Sequence, residues 1–475
     1  MIVDELKYRI GQAMGMPPTM EQQHAVEVFA AFMTDRREQV AMIMRGSAGT
    51  GKTTLAGAIV KAMSGLGQRL VLLAPTGRAA KVFSLYAGHA AYTIHRRIYR
   101  QRSAGDLSAF NLNVNLGRDT LFIVDEASMI ANEGMGDAAF GSGRLLNDLM
   151  DYVYGGQNCR LLLIGDKAQL PPVGEQESPA LRADVVAGWG MHVYECDLSQ
   201  VVRQEEGAGI LWNATMIRRE ALQLGELLPK IRLQGFADIS VVTGEDLIET
   251  LASSYSRVGL DETMVITRSN KRANIYNEGI RRTVLDREEE LSRGDLLMIV
   301  KNNYYWVGQH QEQRKDIAFL ANGDRAVVQR VRNVQQLYGF RFAEVTVEFP
   351  DYDDFELTAT MMLDTLRTES ASLTREQQEQ LFTAVMEDYA DIPQKAERLK
   401  RLKDDRFYNA LQVKFAYAVT CHKAQGGQWA HVYLDQGYMT DDMLTTDYYH
   451  WLYTAFTRAT EHLYLVNWPK AQIAD

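Results

Sequence analysis

Val40-Ala41-Met42-Ile43-Met44 is followed by Arg45 and then by Gly46-Ser47-Ala48-Gly49-Thr50-Gly51-Lys52-Thr53-Thr54. The apolar run reads as a short buried strand, and the residues after Thr53 keep a helical pattern through Leu55, Ile59 and Val60. Between strand and helix, the glycines let successive backbone N–H groups turn inward around phosphate oxygens. The helix offers its positive end, Lys52 reaches the β- and γ-phosphates, and the Thr53 hydroxyl is placed to ligate Mg²⁺. Gly46, Ser47, Ala48, Gly49, Thr50, Gly51, Lys52, Thr53 and Thr54 are the expected nucleotide cradle.

Two further apolar strands end in chemistry that suits such a cradle. Thr120 to Val124 runs into Asp125-Glu126-Ala127-Ser128, where Asp125 is expected to hold Mg²⁺ and Glu126 to orient and deprotonate the attacking water. An acidic pair alone is commonly a solvated loop, but here it follows a strand downstream of a phosphate loop. Arg160 to Ile164 leads to Gly165-Asp166-Lys167-Ala168-Gln169-Leu170-Pro171-Pro172, and Gln169 is expected to sense the γ-phosphate. The bland alternative is a rigid Pro-Pro turn with incidental polar residues.

In this order and spacing, the three segments resemble the motifs of superfamily 1 helicases. The resemblance continues along the chain. Thr19-Met20-Glu21-Gln22 looks like the family's Q motif, which implies that Gln22 uses both faces of its amide on adenine. Leu198 to Gln204 and Trp451 to Ala459 resemble motifs IV and VI, implying that Arg203 and Arg458 are arginine fingers delivered by a second lobe. Pro75, Thr76, Arg78 and Lys81 stand in a motif Ia, and Thr93, His95 and Arg96 in a motif Ib. Ala418 to Gly427 resembles motif V, which implies that Thr420, His422 and Lys423 grip a nucleic-acid strand while Gln425 and Gly426 lie near the nucleotide. Hydroxyls, helix N-termini and basic side chains at the carboxyl ends of parallel strands suit a phosphate backbone. Asn270, just after the strand Met264 to Thr267, joins this set.

Composition narrows the class without naming the substrate. The 475 residues are 46% hydrophobic and 24% charged, ordinary for a globular protein of several domains. A net charge of -10 argues against a surface coated for phosphate binding, though a basic groove inside an acidic shell remains compatible with it. Cys159, Cys196 and Cys421 are too few and too far apart for a disulfide framework or a metal site. No apolar run is long enough for a membrane span, and Met1 to Gly15 mixes charges among its apolar residues, so no membrane partner and a cytoplasmic location are expected.

The expected fold class is α/β: two RecA-like lobes with parallel sheets. Lobe 1 takes residues 1–95 and 119–194, interrupted by a pin or wedge at 96–118, a basic insertion in which Phe110 is the candidate for stacking on a base. Lobe 2 takes 195–281 and 411–475. Between them, short strands and Gly-Asp turns read as a small barrel, and the charged helical stretch Leu373 to Tyr408 as a projecting arm, together 282–410. An SH3-like barrel with a helical extension is what the resemblance to the RecD/Dda group of superfamily 1B implies. So are ATP and Mg²⁺ as cofactors, single-stranded and forked DNA as partners, and travel in the 5′→3′ direction. Little precedes Thr19, which argues against partner binding through an N-terminal domain as in longer RecD relatives; proteins of replication, repair or recombination stay open as partners. Rival expectations are a superfamily 1B RNA helicase and a nucleic-acid-stimulated ATPase switch that remodels complexes without unwinding.

Overall fold

The computed structural model describes residues 2–103, 106–133, 141–202, 208–222, 229–308, 317, 319–440 and 443–474. Helices α1 (Ile2–Met14) and α2 (Met20–Thr34) lead into β1 (Val40–Gly46), α3 (Lys52–Gly65), β2 (Arg69–Ala74), α4 (Gly77–Ala87), β3 (Ala91–Thr93) and α5 (Ile94–Ile98). A hairpin of β4 (Tyr99–Ser103) and β5 (Asp106–Leu112) interrupts the lobe. It is completed by β6 (Thr120–Val124), α6 (Leu145–Tyr154), β7 (Arg160–Gly165), α7 (Ala183–Ala187) and β8 (His192–Leu198).

These strands form one sheet in the order β3-β2-β6-β7-β1-β8, with every neighbouring pair parallel. A parallel sheet covered on both faces must be apolar on both sides, and β1, β6 and β7 are accordingly buried at every residue. Met42, Met44 and Leu162 point into a core shared with α1, α2 and α3, whereas Ile43, Phe122 and Leu163 point into one shared with α6. The loop that begins at Gly46 therefore leaves the carboxyl edge of the sheet between β7 and β8, and that edge is the usual place for a ligand.

The second lobe starts with α8 (Gly209–Leu222), β9 (Ile231–Arg232), β10 (Ile239–Val242), α9 (Leu247–Arg257), β11 (Thr263–Thr267) and α10 (Asn270–Gly279). The barrel strands β12 (Leu296–Ile299), β13 (Arg325–Leu337), β14 (Phe340–Phe349) and β15 (Phe355–Met362) are nested within it, with a short α11 (Tyr305–Gly308) between the first two. After α12 (Arg375–Glu387) and α13 (Lys395–Lys403), β16 (Leu411–Phe415) closes the barrel by pairing antiparallel with β12 and parallel with β15. The lobe resumes with β17 (Ala418–Thr420), α14 (Cys421–Ala424), β18 (Trp429–Asp435), α15 (Thr446–Phe456), β19 (Ala459–Val466) and β20 (Ile473–Ala474). Its sheet, β10-β19-β18-β11-β17, is parallel throughout.

Three boundaries read from the sequence move. β8 runs to Leu198 and pairs with β1 along its whole length, so the first lobe extends past residue 194. Its sequence, HVYECDL, alternates polar and apolar residues because an edge strand is covered less completely, and it offers no apolar run to read. The barrel extends past residue 410 because β16 belongs to it; only Ala416 and Tyr417 separate β16 from β17, so one apolar stretch serves two sheets. The helix α5 starts at Ile94 and crosses the expected limit at 95, capped by the Thr93 hydroxyl. The helical arm packs back on one end of the barrel, where Leu381, Val385 and Leu402 meet Phe340, Phe342 and Phe407.

Candidate nucleotide and nucleic-acid site

The turn after β1 needs glycine at two positions. Gly49 has φ 76° and Gly51 φ 80°, both in the left-handed region, and side chains of Leu211 and Gln22 fill the space a Cβ would take at each. Lys52 begins α3 and folds its ammonium back on its own loop, donating to Gly46 O and, at 3.0 Å, to Ser47 O, with the Asp166 carboxylate 3.7 Å away. Thr53 and Thr54 follow it, exposed on the first turn of α3.

Gln22 is held by two bonds within the chain. Its Oε1 accepts the Thr19 N–H at 3.0 Å while its Nε2 donates to Thr50 O at 3.0 Å. The first bond belongs to a capping box, in which the third residue of a helix reaches back to the residue that caps it. Both amide faces are thus engaged, one by α2 and one by the phosphate loop, and Gln22 joins the two. Glu21, its neighbour, accepts N–H groups from Ser199 at 2.6 Å and Gln200 at 2.7 Å, and Val202 N–H donates to Gly49 O at 2.9 Å. The chain leaving β8 is thereby laid along the loop; Arg203, the first expected finger, lies outside the described residues.

Asp125 and Glu126 stand at the end of β6, next to β2. Asp125 Oδ1 accepts the Glu126 N–H at 2.9 Å, and its other oxygen accepts the Tyr86 hydroxyl from the end of α4. Desolvation in the cleft raises the Asp125 carboxyl, opposed by the bonds from Tyr86 and Glu126 and by the charge of Lys52. Glu126 is raised too, first by desolvation, with the Arg458 guanidinium opposing and Asp125 adding to the shift. A raised carboxyl is a stronger base when ionised, which suits deprotonation of water. Glu126 also has φ 52°, a backbone state that non-glycine residues adopt at a cost and that clusters at functional sites.

The second lobe meets this site through α15. Tyr453 Oη accepts the Ala48 N–H at 2.8 Å and donates to Asp166 at 2.6 Å. Thr454 Oγ1 accepts the Leu170 N–H at 2.8 Å, and His450 Nδ1 lies 2.8 Å from Ala168 O. At the end of the helix, Arg458 is 2% exposed and donates to Thr454 O, Gly427 O and Thr457 Oγ1, each at 3.1 Å. Gln169 is buried between the lobes, and its Oε1 has no hydrogen-bond partner among the described residues. Such an acceptor is costly to bury and suits a water that donates to it. Gln425 and Gly426 stand at the seam: Gln425 Nε2 donates to Leu170 O at 2.7 Å, and a Cβ on Gly426 would lie 3.1 Å from Thr76 Oγ1.

On the adjoining face, α4 of the first lobe, α14 of the second and two barrel loops converge. Arg78 stacks on the Trp429 ring at 4.6 Å and donates to Gln428 O. Burial brings its guanidinium down to about 10, with like-charged Arg325 contributing. Lys81 donates to Pro350 O at 2.7 Å, and Lys423 to Asn322 Oδ1. Burial takes the Lys423 ammonium down to about 8, helped by Lys414. In both the larger cause is burial, which an anion placed beside them would offset. Pro75 and Thr76 border this face, with Thr76 capping α4, and Thr420 and His422 lie at the start of α14. Asn270 opens α10 behind Ser269.

Thr93, His95 and Arg96 each have partners within the chain. The Thr93 hydroxyl accepts the Arg96 N–H, and the His95 ring packs 5.6 Å from Tyr99 and 6.4 Å from Phe319. Burial lowers His95 to about 4, so near neutral pH it is an uncharged ring. Arg96 lies over Tyr92 at 4.7 Å. The backbone of Phe110 belongs to β5, and its side chain lies outside the described residues.

Reading the sequence missed Tyr86, Tyr453 and Arg218. Tyr453 is inside a motif quoted for its arginine, five residues earlier, on a helix that ends two residues before that arginine. Arg218 Nη1 donates to Ser47 Oγ from α8, and the only sequence signal is its seven-residue spacing from Leu211, which puts both on one helix face.

Residues 19–228 match the family described as AAA domain, and residues 415–466 the UvrD-like helicase C-terminal domain. The ATP-dependent DNA helicase dda of Enterobacteria phage T4 is 24% identical over 301 residues, 59% of this chain and 60% of its own length. The ATP-dependent RecD2 DNA helicase of Deinococcus radiodurans is 36% identical over 132 residues, 28% of this chain and 16% of its own. The chain thus matches under two thirds of the length of either relative. A Pif1 helicase from Bacteroides, solved with ADP-AlF3 and single-stranded DNA, aligns over 97% of this chain and 95% of its own with a TM-score of 0.48 and 14% identity. The two family matches flank the barrel, one on each parallel-sheet lobe, and the chain is similar in sequence to dda and RecD2, the relatives whose group its motifs resemble.

Proposed function

We propose that the protein is an ATP-driven DNA helicase that moves 5′→3′ along a single strand and separates duplex ahead of it. The observation that carries this reading is the position of α15: one second-lobe helix touches the phosphate loop through Tyr453 and brings Arg458 beside Glu126. A triphosphate held there joins both lobes, and its cleavage changes how they fit together.

Within this reading, Lys52 exchanges the carbonyls of Gly46 and Ser47 for the β- and γ-phosphates. Glu126 takes the proton of the attacking water, and Gln169 Oε1 orients that water. Arg458, with Arg203, stabilises charge on the transferring phosphoryl group. Thr53 and Asp125 supply the hard oxygen donors that Mg²⁺ takes alongside phosphate and water, and the two Asp125 oxygens keep lone pairs beyond the bonds they accept. Bound there, Mg²⁺ neutralises phosphate charge. Arg78, Lys81 and Lys423 line the strand's path with Pro75, Thr76, Thr420, His422 and Asn270. The β4–β5 hairpin stands as the wedge. Among the described residues no helix is long and apolar enough to cross a membrane, and a cytoplasmic place of work belongs to the proposal.

The test is unwinding of matched duplexes carrying a 5′ or a 3′ single-stranded tail, in DNA and RNA versions, with Lys52→Ala as control. ATP-dependent opening of the 5′-tailed DNA alone, absent in Lys52→Ala, is the expected result. ATP turnover stimulated by DNA without strand opening would replace the motor with a switch, and equal opening of RNA would overturn the DNA assignment.

A further inference from the structure

The helix α8 lies across the phosphate loop. Leu211 occupies the space beside Gly49, and two turns on, about 10 Å along the axis, Arg218 donates to Ser47 Oγ. One face of a second-lobe helix is therefore laid along the cradle, with its cation at the Gly46–Ser47 end, where Lys52 also rests. The Arg218 Nε is buried and has no hydrogen-bond partner among the described residues. It borders a cavity of about 390 Å³ lined also by Ser47, Asp166, Lys167, Gln169 and Tyr453.

The charges around this cavity are unequally matched. Arg45 is held by Asp197 at 2.7 Å and by Glu195 at 2.7 Å, and Arg182 pairs with Asp184 at 2.5 Å. Asp166 receives the Tyr453 hydroxyl and the Ala168 N–H. Lys167 is exposed at the rim. Arg218 is the cation whose hydrogen-bonding capacity is left over inside, and a guanidinium fork matches a phosphate better than it matches a single hydroxyl.

We propose that Arg218 and the cavity it lines hold the inorganic phosphate released by hydrolysis, before it leaves the cleft. The proposal rests on the ATPase reading above. In that reaction the water oxygen bonds to the γ-phosphorus, the bond from phosphorus to the β–γ bridging oxygen breaks, the water proton passes to Glu126, and the freed oxyanion is left at the Gly46–Ser47 end. Because Arg218 belongs to the second lobe, opening the cleft withdraws this ligand, and phosphate release becomes tied to lobe movement.

Inorganic phosphate as a product inhibitor of the full chain tests this, with ADP affinity followed by a fluorescent ADP. Phosphate is expected to inhibit wild-type turnover. Arg218→Gln is expected to raise the inhibition constant for phosphate at least about tenfold, the loss of one charged hydrogen bond. ADP affinity is expected to stay within about twofold. Arg218→Lys recovers part of the loss, and Ser47→Ala, which removes the hydroxyl that orients the fork, weakens phosphate in the same direction should Arg218→Gln fail to fold. A wild-type chain insensitive to phosphate, equal inhibition of wild type and variants, or a parallel fall in ADP affinity overturns the proposal. A wild-type chain that turns over no ATP would sink the ATPase reading itself; normal turnover with unaltered phosphate inhibition sinks only the phosphate site.

Discussion

The Tyr453 hydroxyl donates to the Asp166 carboxylate at 2.6 Å while it accepts the Ala48 N–H at 2.8 Å, so one second-lobe side chain is bonded to two motifs of the first lobe. Tyr453 is 2% exposed, and its ring packs in the core beneath α15 with Leu452 and Phe456. Tyr453→Phe keeps that packing and removes only the bridge. The expected result is a fall of about tenfold in DNA-stimulated ATP turnover, the value of one hydrogen bond to a charged group. Steady-state kinetics with and without oligonucleotide check it: an equal fall in the unstimulated rate would remove Tyr453 from the coupling between lobes.

Arg458 spends its donors on Thr454, Gly427 and Thr457 and opposes the upward shift of Glu126. Arg458→Ala is expected to slow hydrolysis by about 10³, the low end for an arginine finger, while ATP still binds. Single-turnover hydrolysis beside equilibrium ATP binding separates the two effects. An unaltered rate takes Arg458 out of the reaction.

Lys81 is half exposed and held by Pro350 O, with Asp351 at 3.8 Å. If it meets a strand phosphate instead, binding releases one condensed counterion there. Lys81→Ala is then expected to reduce the slope of log affinity against log salt by about 0.7 for single-stranded DNA. Titrations with oligo-dT at several salt concentrations measure it, and an identical slope would place Lys81 outside the strand's path.

Asp324 gives a pH signature. Burial pushes its carboxyl up to about 7, although the Tyr352 hydroxyl and the Ala321 N–H oppose the shift. The folded chain holds this proton more tightly than the unfolded chain does. Its contribution to stability is full below about pH 4 and is lost as pH rises through 7, at most about 1.4 kcal/mol per pH unit. Asp324→Asn removes that titration and keeps the acceptor for Ala321 N–H. Denaturant unfolding between pH 5 and 8 should show wild type losing stability relative to the variant; parallel curves would contradict the raised carboxyl.

The strand-turn-helix segments proposed to hold the nucleotide were legible because their pattern is local. Gly46 to Thr54, Asp125-Glu126 and the segment around Gln169 each follow an apolar strand, and strand, turn and donor sit within ten residues of one another. The barrel was legible as short strands set off by the Gly294-Asp295 and Gly323-Asp324 turns. Its closing strand was not, because β16 and β17 are contiguous in sequence and part only through pairing with different sheets. The cap formed by Gln22 was not read either: a glutamine placed three residues after Thr19 suits a base reader and a cap alike, and its bond to Thr50 O depends on the packing of α2 against the phosphate loop.

By itself, the sequence determined where the glycine-rich turn, the acidic turn after β6 and the strands that lead into them lie, because backbone turns, helix starts and apolar strands follow from neighbouring residues. Tertiary structure alone decided which side chains reach those segments from a distance. Tyr453 lies 405 positions from Ala48, and Arg218 lies 171 from Ser47. Contacts over such separations depend on how two independently folded sheets are docked, and no local spacing encodes that docking.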